Sequence, residues 1–342
     1  MVNFVAMILV TGGTGLVGSH LLWELMAHGE SNIRATYRTL PSIDAVSDLF
    51  RWKNSQSENG LSASFKDIEW IEADVTDIPA LTEAFNDVEY VYHCAALISF
   101  NPKRFDRLQK INVEGTANMI NLSIINHVKK FCYVSSVAAL GNSKTIVTEE
   151  TQWEAIKDNS VYSISKFASE MEVWRGTQEG LDVVIVNPGI ILGEGFYSQG
   201  SGVFFRQIKK GLDYAVPGSS GFVDVIDVAK AMVLLMSSKV FNERYILVSH
   251  NLGFAAVFKK IAKVLDVAVP SKKLKKWQLE LGWRLDAVAG FFGKRRKLFR
   301  SKARSAYEQV NYNNSKLKKE LNFEYTSLTE TLNRISKHFS HQ

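Results

Sequence analysis

Near its amino end the chain reads Ile8-Leu9-Val10-Thr11-Gly12-Gly13-Thr14-Gly15-Leu16-Val17-Gly18-Ser19. The apolar run over residues 5–10 predicts a buried parallel strand. Residues 16–26 then carry helical apolar spacing without a proline, so a helix should follow the glycines directly. Strand, glycine turn and helix in this order are typical of the first unit of a Rossmann fold, an α/β architecture built on a doubly wound parallel sheet.

The three glycines Gly12, Gly15 and Gly18 have the spacing that a dinucleotide-binding loop requires. Gly12 permits a tight turn, Gly15 lets the backbone approach a pyrophosphate, and Gly18 lets the helix pack closely on the strand. The amino terminus of the helix then directs unpaired N–H groups at the phosphates. A surface turn also uses glycine, but the flanking strand and helix favour a cofactor loop. We expect cofactor contacts from Gly12, Thr14, Gly15, Leu16, Val17 and Gly18.

Length and composition exclude several classes of protein. The 342 residues, 46% of them hydrophobic, suffice for one large domain or two. No apolar run reaches about 18 residues, so no transmembrane helix is predicted. The first residues lack a signal-peptide pattern and the two cysteines exclude a disulfide framework, which together predict a cytoplasmic protein. No Cys/His cluster has metal-ligand spacing, and no metal is expected.

The net charge of +6 is concentrated in residues 272–304, which hold 12 Lys/Arg against two acids. The remainder of the chain has 29 basic and 33 acidic residues, so a nucleic-acid partner is not expected. The segment interleaves its basic residues with large apolar ones. We favour a helix that packs its apolar stripe on the protein over one that lies on anionic lipid.

A second strand is predicted over residues 32–38 and ends in Arg38. In dinucleotide folds this strand end contacts the adenosine ribose, where an acid accepts from a free 2′-OH and an arginine pairs with a 2′-phosphate. Because no acid occurs before Asp44, we favour NADP(H) over NAD(H). A solvated arginine at a strand end is the alternative.

The third predicted strand, residues 68–73, is followed by two acids. Asp74 could accept a hydrogen bond from the adenine amino group or cap the next helix, for which Asp77 is the better placed. We include Asp74 and its neighbour Val75 among the expected cofactor contacts.

The fourth predicted strand, residues 88–96, ends in small residues, and Ala95 and Ala96 suit close passage of a cofactor. His93 lies alone within this apolar strand and is interpreted as a core histidine. Asn112 opens a long helix, where a buried asparagine needs a specific partner. That partner is either structural or part of a proton relay, so Asn112 is included among the catalytic residues.

The fifth predicted strand ends in Ser135 and Ser136, and strand carboxyl ends face the ligand crevice of a doubly wound sheet. Tyr162 and Lys166 follow at helical spacing, so their Cβ atoms should lie about 5–6 Å apart. A phenol with a pKa of about 10 is a poor acid–base group at neutral pH. A fixed ammonium nearby lowers that pKa and lets the phenol exchange a proton with a carbonyl or alcohol.

Together these motifs resemble the extended short-chain dehydrogenase/reductase superfamily, in the NAD-dependent epimerase/dehydratase group. They comprise, in order, residues 11–18, 112–116, 135–136, 162–166, 187–193, 221–228 and 312–323. The resemblance covers nearly the whole chain. It implies a Rossmann domain over residues 1–188, to which 222–250 return, and a smaller α+β substrate domain, mainly 189–342. It also implies a homodimer formed through two long central helices.

The resemblance implies a role for each site residue. Tyr162 would be the acid/base, while Lys166 would bind the nicotinamide ribose and tune Tyr162. Ser136 would hydrogen-bond the substrate oxygen, with Ser135 as the alternative. The resemblance also implies that Asn187 and Pro188 lie beside the nicotinamide ring.

Two departures separate the chain from nucleotide-sugar epimerases and dehydratases. Those usually carry Arg-Asp-Phe/Tyr and Asn-Val-Tyr-Gly-Pro, where this chain has Ser220-Gly221-Phe222-Val223 and Asn187-Pro188-Gly189-Ile190-Ile191-Leu192. Residues 91–101 instead look like the dihydroflavonol reductase and 3β-hydroxysteroid dehydrogenase branch. That branch implies an NAD(P)-dependent oxidoreductase acting on a ketone, aldehyde or secondary alcohol of apolar character.

The expected apolar lining of the substrate pocket is Phe100, Phe196, Tyr197, Phe204 and Phe205. A nucleotide-sugar epimerase or dehydratase is the first alternative function. The second is a non-catalytic NAD(P)-sensing Rossmann protein, although such proteins typically lose the Tyr/Lys pair that this chain keeps.

Overall fold

A large parallel sheet organises the molecule. The computed structural model describes residues 6–57, 61–141, 145–156, 159–291, 296 and 298–341. Within these residues seven strands lie side by side, in the order β3 (Ile68–Glu72), β2 (Ile33–Tyr37), β1 (Met7–Thr11), β4 (Val88–His93), β5 (Lys130–Val134), β6 (Val183–Pro188) and β10 (Glu243–Leu247). All their pairings are parallel. The order reverses between β1 and β4, which confirms the doubly wound sheet and locates its ligand crevice.

Helices cover both faces of this sheet. They are α1 (Leu16–Ala27), α2 (Pro41–Gln56), α3 (Ile78–Ala84), α4 (Phe105–Leu108), α5 (Gly115–Ile125), α6 (Val161–Gln178) and α8 (Val225–Ser237). Helix α7 (Gly202–Lys209) belongs to a separate core. One core joins the sheet to α1, α2 and α8 through residues such as Leu21, Phe50 and Met232. The other core joins it to α3, α5 and α6. Burial on both faces explains why the strands read as continuous apolar runs.

A smaller assembly follows β6. It contains the three-stranded sheet of β7 (Ile190–Leu192), β9 (Ser219–Asp224) and β11 (His250–Gly253), and the pair β8 (Tyr214–Ala215) and β12 (Lys272–Lys273). Its helices, besides α7, are α9 (Phe254–Val264), α10 (Lys276–Phe291), α11 (Arg300–Ser305), α12 (Ser315–Leu321) and α13 (Leu328–Ser340). A third core lies between α7, α9 and α13.

Two stretches of the carboxyl-terminal half return to the large sheet. The first adds β10 to the sheet edge and packs α8 on α1. The second, which the sequence pattern did not indicate, is α12: its Leu317 lies in the core of the large sheet, and Glu320 accepts a hydrogen bond from Tyr245 on β10. The carboxyl-terminal half is therefore joined to the large sheet at two places along the chain.

Some expectations concern residues outside the described ranges: the start of the first strand at residue 5, and positions 292–295 and 297 of the basic segment. In the described part of the chain no helix is long and apolar enough to cross a membrane. The same residues contain no cluster of potential metal ligands.

Candidate active site

The glycine loop between β1 and α1 has almost no room for side chains. Gly12 has a φ of +68°, and a Cβ added to it would lie 2.7 Å from the backbone nitrogen of Ala95. A Cβ on Gly18 would lie 2.2 Å from the carbonyl oxygen of Gly12. These contacts account for the expected turn and for the close approach of helix to strand.

The loop also suits a pyrophosphate. Gly15 immediately precedes α1, and no side chain in the described residues caps the first turn of the helix. The N–H groups of that turn therefore keep their hydrogen-bonding capacity for an anion, in line with the positive end of the helix dipole. The backbone donors and the absence of Cβ atoms together fit a dinucleotide.

A cleft with a cavity volume of about 690 Å³ extends from this loop across the carboxyl ends of β4, β5 and β6 to α11. The expected cofactor and catalytic residues that line it are Gly12, Gly15, Leu16, Val17, Gly18, Arg38, Ala96, Ser136, Tyr162, Lys166 and Pro188. The sheet therefore brings into one cleft residues that are separated by as much as half of the chain.

Other expected residues lie beside the cleft without lining it. Ala95 contributes backbone that abuts Gly12, and Thr14 is half-buried in the glycine loop. Val75 packs against Gly115 at the start of α5. Asp74 accepts hydrogen bonds from the backbone and hydroxyl of the residue two positions on, and its other oxygen lies 3.9 Å from Arg38.

Asp77, and not Asp74, caps α3. Its carboxylate accepts a hydrogen bond of 3.2 Å from the backbone nitrogen of Ala80. This outcome confirms Asp77 as the better cap and leaves the Asp74 carboxylate near Arg38, with its side chain 36% exposed.

Two hydroxyls meet at the centre of the cleft. Ser136 and Tyr162 both line the cleft, and the Ser136 hydroxyl is near enough to the phenol to act on its pKa. Ser136 Oγ accepts a hydrogen bond of 3.1 Å from the backbone nitrogen of Ala138. Ser135, the alternative substrate-binding serine, instead donates to the buried carboxylate of Glu170. Ser136 is thus the serine whose hydroxyl shares a site with the phenol.

Lys166 lies fully buried one helical turn after Tyr162. Its ammonium donates to Tyr133 Oη at 2.6 Å and to the carbonyl oxygen of Val134 at 3.0 Å. An ammonium has three donors, so among the described residues one is left for a ligand in the cleft. Burial lowers the pKa of Lys166, although nearby Tyr162 and Glu170 act in the opposite direction.

The pKa of Tyr162 differs from the sequence-based expectation. Burial of the phenol raises its pKa above the usual value, and the opposing effects of the Lys166 charge and the Ser136 hydrogen bond do not outweigh burial. The expected lowering by the Lys166 charge is present, but burial outweighs it, so the net shift of the Tyr162 pKa is upward. At neutral pH the phenol is protonated and can act as an acid.

Asn112 lies in a π-helical turn, Gln109–Glu114, which connects α4 to α5. This turn stands where the sequence predicts the start of an α-helix. Its amide oxygen accepts from the Leu97 backbone nitrogen at 2.7 Å, and its NH₂ donates to the Leu97 carbonyl and to Ser165 Oγ, both at 3.0 Å. These bonds fit the structural alternative, because they fix a wall of the cleft to α6. A π turn gives no local sequence signal, although such turns are frequent at functional sites.

A buried acid beneath the cleft was missed by sequence reasoning. Glu170 is fully buried and accepts hydrogen bonds from Asn187 at 2.8 Å and from Arg244 at 3.0 Å, besides that from Ser135. Asn187 also donates to the backbone carbonyl of Ser136 at 3.1 Å. Asn187 and Glu170 thus hold the strand end that carries the serine. The spacing of Glu170, four residues after Lys166, is the only signal that could have indicated it.

The interpretation of His93 as a core residue agrees with its surroundings. Its Nδ1 lies 2.6 Å from Thr11 Oγ1 and its Nε2 lies 3.1 Å from Thr116 Oγ1. Burial lowers its pKa to about 3, so the ring is neutral. Cys94, the next residue, lines the cleft, and burial raises its pKa to about 12, which keeps it a thiol.

Fold and cleft together define a nucleotide-binding protein of the extended short-chain dehydrogenase/reductase type. The model of the NAD dependent epimerase/dehydratase family matches residues 8–247, and the chain belongs to that family.

Similarity to individual proteins extends over most of the chain. A putative dihydroflavonol 4-reductase of Synechocystis is 25% identical over 94% of this chain and 91% of its own length. Sterol demethylase protein B of Methylococcus capsulatus is 29% identical over 71% of this chain and 70% of its own length. The crystal structure of gox2253 has a TM-score of 0.79 at 25% identity and covers 98% of both chains.

Proposed function

We propose that this protein is an NADP(H)-dependent oxidoreductase that transfers a hydride between the cofactor and a ketone, aldehyde or secondary alcohol of apolar character. The observation that carries the proposal is the grouping of Ser136, Tyr162 and Lys166 in the same cleft as the glycine loop. Family membership and the reductase names among its relatives support the same reaction class.

A nicotinamide cofactor held by the glycine loop and Lys166 would supply, in the direction of reduction, the hydride that the carbonyl carbon needs. Ser136 donates a hydrogen bond to the carbonyl oxygen, and Tyr162 transfers its phenolic proton to that oxygen as the alcohol forms. The Lys166 ammonium then stabilises the phenolate that remains. One hydride and one proton are thereby added to the C=O bond, which becomes the alcohol.

Features of the cleft support a substrate of apolar character. Near Tyr162 the wall includes Ile98, Trp153 and Phe100, whose ring centroid lies 5.5 Å from that of Tyr162. Phe196 also lines the cleft, as expected. The expectation is wrong for three further aromatic residues, which pack in or against the core of the smaller assembly: Tyr197, Phe204 and Phe205.

The distal end of the cleft, at α11 and away from the glycine loop, suits a sugar nucleotide less well than an apolar substrate. A diphosphate needs unpaired cationic or backbone donors. Arg304 is the lining arginine at that end, and its guanidinium is paired with Glu308. Neighbouring hydroxyls there come from Ser219, Ser220, Ser301 and Ser305. Hydroxyls suit a neutral polar group on an otherwise apolar substrate better than a diphosphate.

The preference for NADP(H) rests on Arg38. This arginine lies at the end of β2, lines the cleft and keeps 65% of its side chain exposed. Replacing it with alanine should weaken NADPH binding about 10- to 100-fold, the contribution of hydrogen bonds to a charged phosphate, and leave NADH binding nearly unchanged. Quenching of protein fluorescence measures both dissociation constants.

Arg51→Ala is the matched control for this variant, because Arg51 is an exposed arginine paired with Asp48 on α2. It should leave both dissociation constants as they are. If Arg38→Ala weakened the binding of NADPH and of NADH equally, Arg38 would support the cofactor site without recognising the 2′-phosphate.

The raised pKa of Tyr162 predicts opposite pH profiles for the two directions. Reduction needs the phenol and should persist at neutral pH, then fall as the pH rises through the pKa of Tyr162. Oxidation of the alcohol needs the phenolate and should increase over the same alkaline range. Profiles of kcat/KM for an apolar ketone with NADPH, and for its alcohol with NADP⁺, test the proposal. Parallel profiles in the two directions would contradict it.

A further inference from the structure

Helix α10 exposes a stripe of large apolar side chains. Trp277, Leu281, Leu285 and Val288 are 60%, 47%, 59% and 57% exposed. At 100° per residue these four positions fall within an arc of about 80°, so they form one face of the helix. The expectation that this stripe packs on the protein is therefore wrong.

The opposite side of α10 attaches the helix to the protein. Leu279 is buried there, and Glu280 accepts a hydrogen bond of 3.0 Å from Tyr307. Near the end of the helix, Asp286 accepts a bond of 3.0 Å from the backbone nitrogen of Leu298. The exposed stripe thus belongs to a helix with its own buried contacts, and its exposure needs an explanation other than the packing of the chain.

The charge around the stripe identifies the kind of surface that would cover it. Four exposed lysines precede Trp277 along the chain: Lys272 and Lys273 on β12, then Lys275 and Lys276, the first residue of α10. Residues 272–304 as a whole carry 12 basic and two acidic residues. Such a density of positive charge repels a second copy of the same face and attracts an anionic surface.

We propose that this stripe and the lysines beside it dock on the surface of a bilayer that contains anionic lipid. A helix with a tryptophan and leucines on one side and lysines at its edge lies in the interfacial plane, its apolar side chains among the acyl chains and its lysines at the headgroups. No segment needs to cross the bilayer for this mode of binding.

One helix, α11, separates the docking helix α10 from the cleft. Helix α10 packs on α11, and Ser301, Arg304 and Ser305 of α11 line the distal end of the cleft. A protein seated by α10 therefore holds the cleft next to the lipid, where an apolar substrate is concentrated. This consequence rests on the proposed function, whereas docking itself does not.

Cosedimentation with vesicles tests docking without any assay of turnover. The protein should bind vesicles of phosphatidylcholine with phosphatidylglycerol, bind those of phosphatidylcholine alone much less, and lose binding as the salt concentration rises. The variant Trp277→Ser/Leu281→Ser/Leu285→Ser should bind anionic vesicles at least about tenfold more weakly, because interfacial binding scales with buried apolar area.

A matched control replaces two exposed isoleucines elsewhere, Ile78→Ser/Ile146→Ser, and should bind like the parent. Circular dichroism establishes that both variants are folded. Failure of the parent to bind anionic vesicles, or equal binding by the triple variant, would overturn the proposal. An oligomer of the parent that the triple variant dissociates, seen by sedimentation velocity without lipid, would assign the face to a second copy instead.

Discussion

Tyr162→Phe should lower kcat for carbonyl reduction by about 10²- to 10⁴-fold while the dissociation constant of NADPH stays close to that of the parent. The substitution removes one oxygen atom from a half-buried ring and leaves its packing against Phe100 in place. Because Tyr162 supplies the proton in the proposed mechanism, the loss should appear in turnover. Steady-state kinetics and a fluorescence titration with NADPH measure the two quantities.

Tyr197→Phe provides the control for Tyr162→Phe. The Tyr197 hydroxyl donates to the carbonyl oxygen of Ile335 at 3.2 Å, within the core of the smaller assembly. Its removal should cost about 1 kcal/mol of stability and leave kcat unchanged. Turnover by Tyr162→Phe at the parental rate would remove the phenol from the mechanism.

Lys166→Met should separate activity from stability. We expect kcat to fall by about 10²-fold or more, because the buried charge that stabilises the Tyr162 phenolate is lost. The melting temperature should change little, since methionine has a similar shape and water in the cleft can replace the ammonium as the donor to the Val134 carbonyl, which lines the cleft. Burial already lowers the pKa of Lys166, which indicates that its charge is held at a cost in this site. Thermal unfolding and steady-state kinetics of the same preparation test both expectations.

Replacing Lys130, the buried lysine at the amino end of β5, should give the reverse result: a loss of stability with kcat retained. Lys130 donates to the carbonyl oxygens of Leu235 at 2.6 Å and Ser238 at 2.9 Å, at the carboxyl end of α8. In Lys130→Met these carbonyls lose their partner, which should cost about 1–3 kcal/mol while kcat is retained. A loss of stability in Lys166→Met as large as that in Lys130→Met would mean that Lys166 is chiefly structural.

The sheet, the glycine loop and the central pair of side chains could be anticipated because their signals are local. Gly12 indicates a turn and Gly18 a close contact, because glycine has no Cβ atom and each of these positions has no room for one. Tyr162 and Lys166 are neighbours on any helix that contains both. Ser135 and Ser136 follow from their place at a strand end, where parallel strands deliver their side chains to one crevice, and the resemblance to the family favours Ser136.

Features that depend on distant neighbours were missed or mistaken. The buried contacts of Glu170 with Asn187 and Arg244 arise only when α6, β6 and β10 meet. The direction of the Tyr162 pKa shift depends on burial, which the spacing to Lys166 does not reveal. The outward orientation of Trp277 on α10 is likewise a property of the packed molecule, since helical periodicity marks an apolar face without saying what covers it.

The central claim is that the cofactor serves as a stoichiometric hydride donor in this cleft. Reduction of an apolar ketone with NADPH deuterated at both C4 positions of the nicotinamide tests it most directly. We predict one deuterium on the carbinol carbon of the alcohol, found by mass spectrometry, and one NADP⁺ formed per alcohol. Conversion of a substrate without net consumption of the cofactor, as in an epimerase, or an alcohol without deuterium would contradict the account.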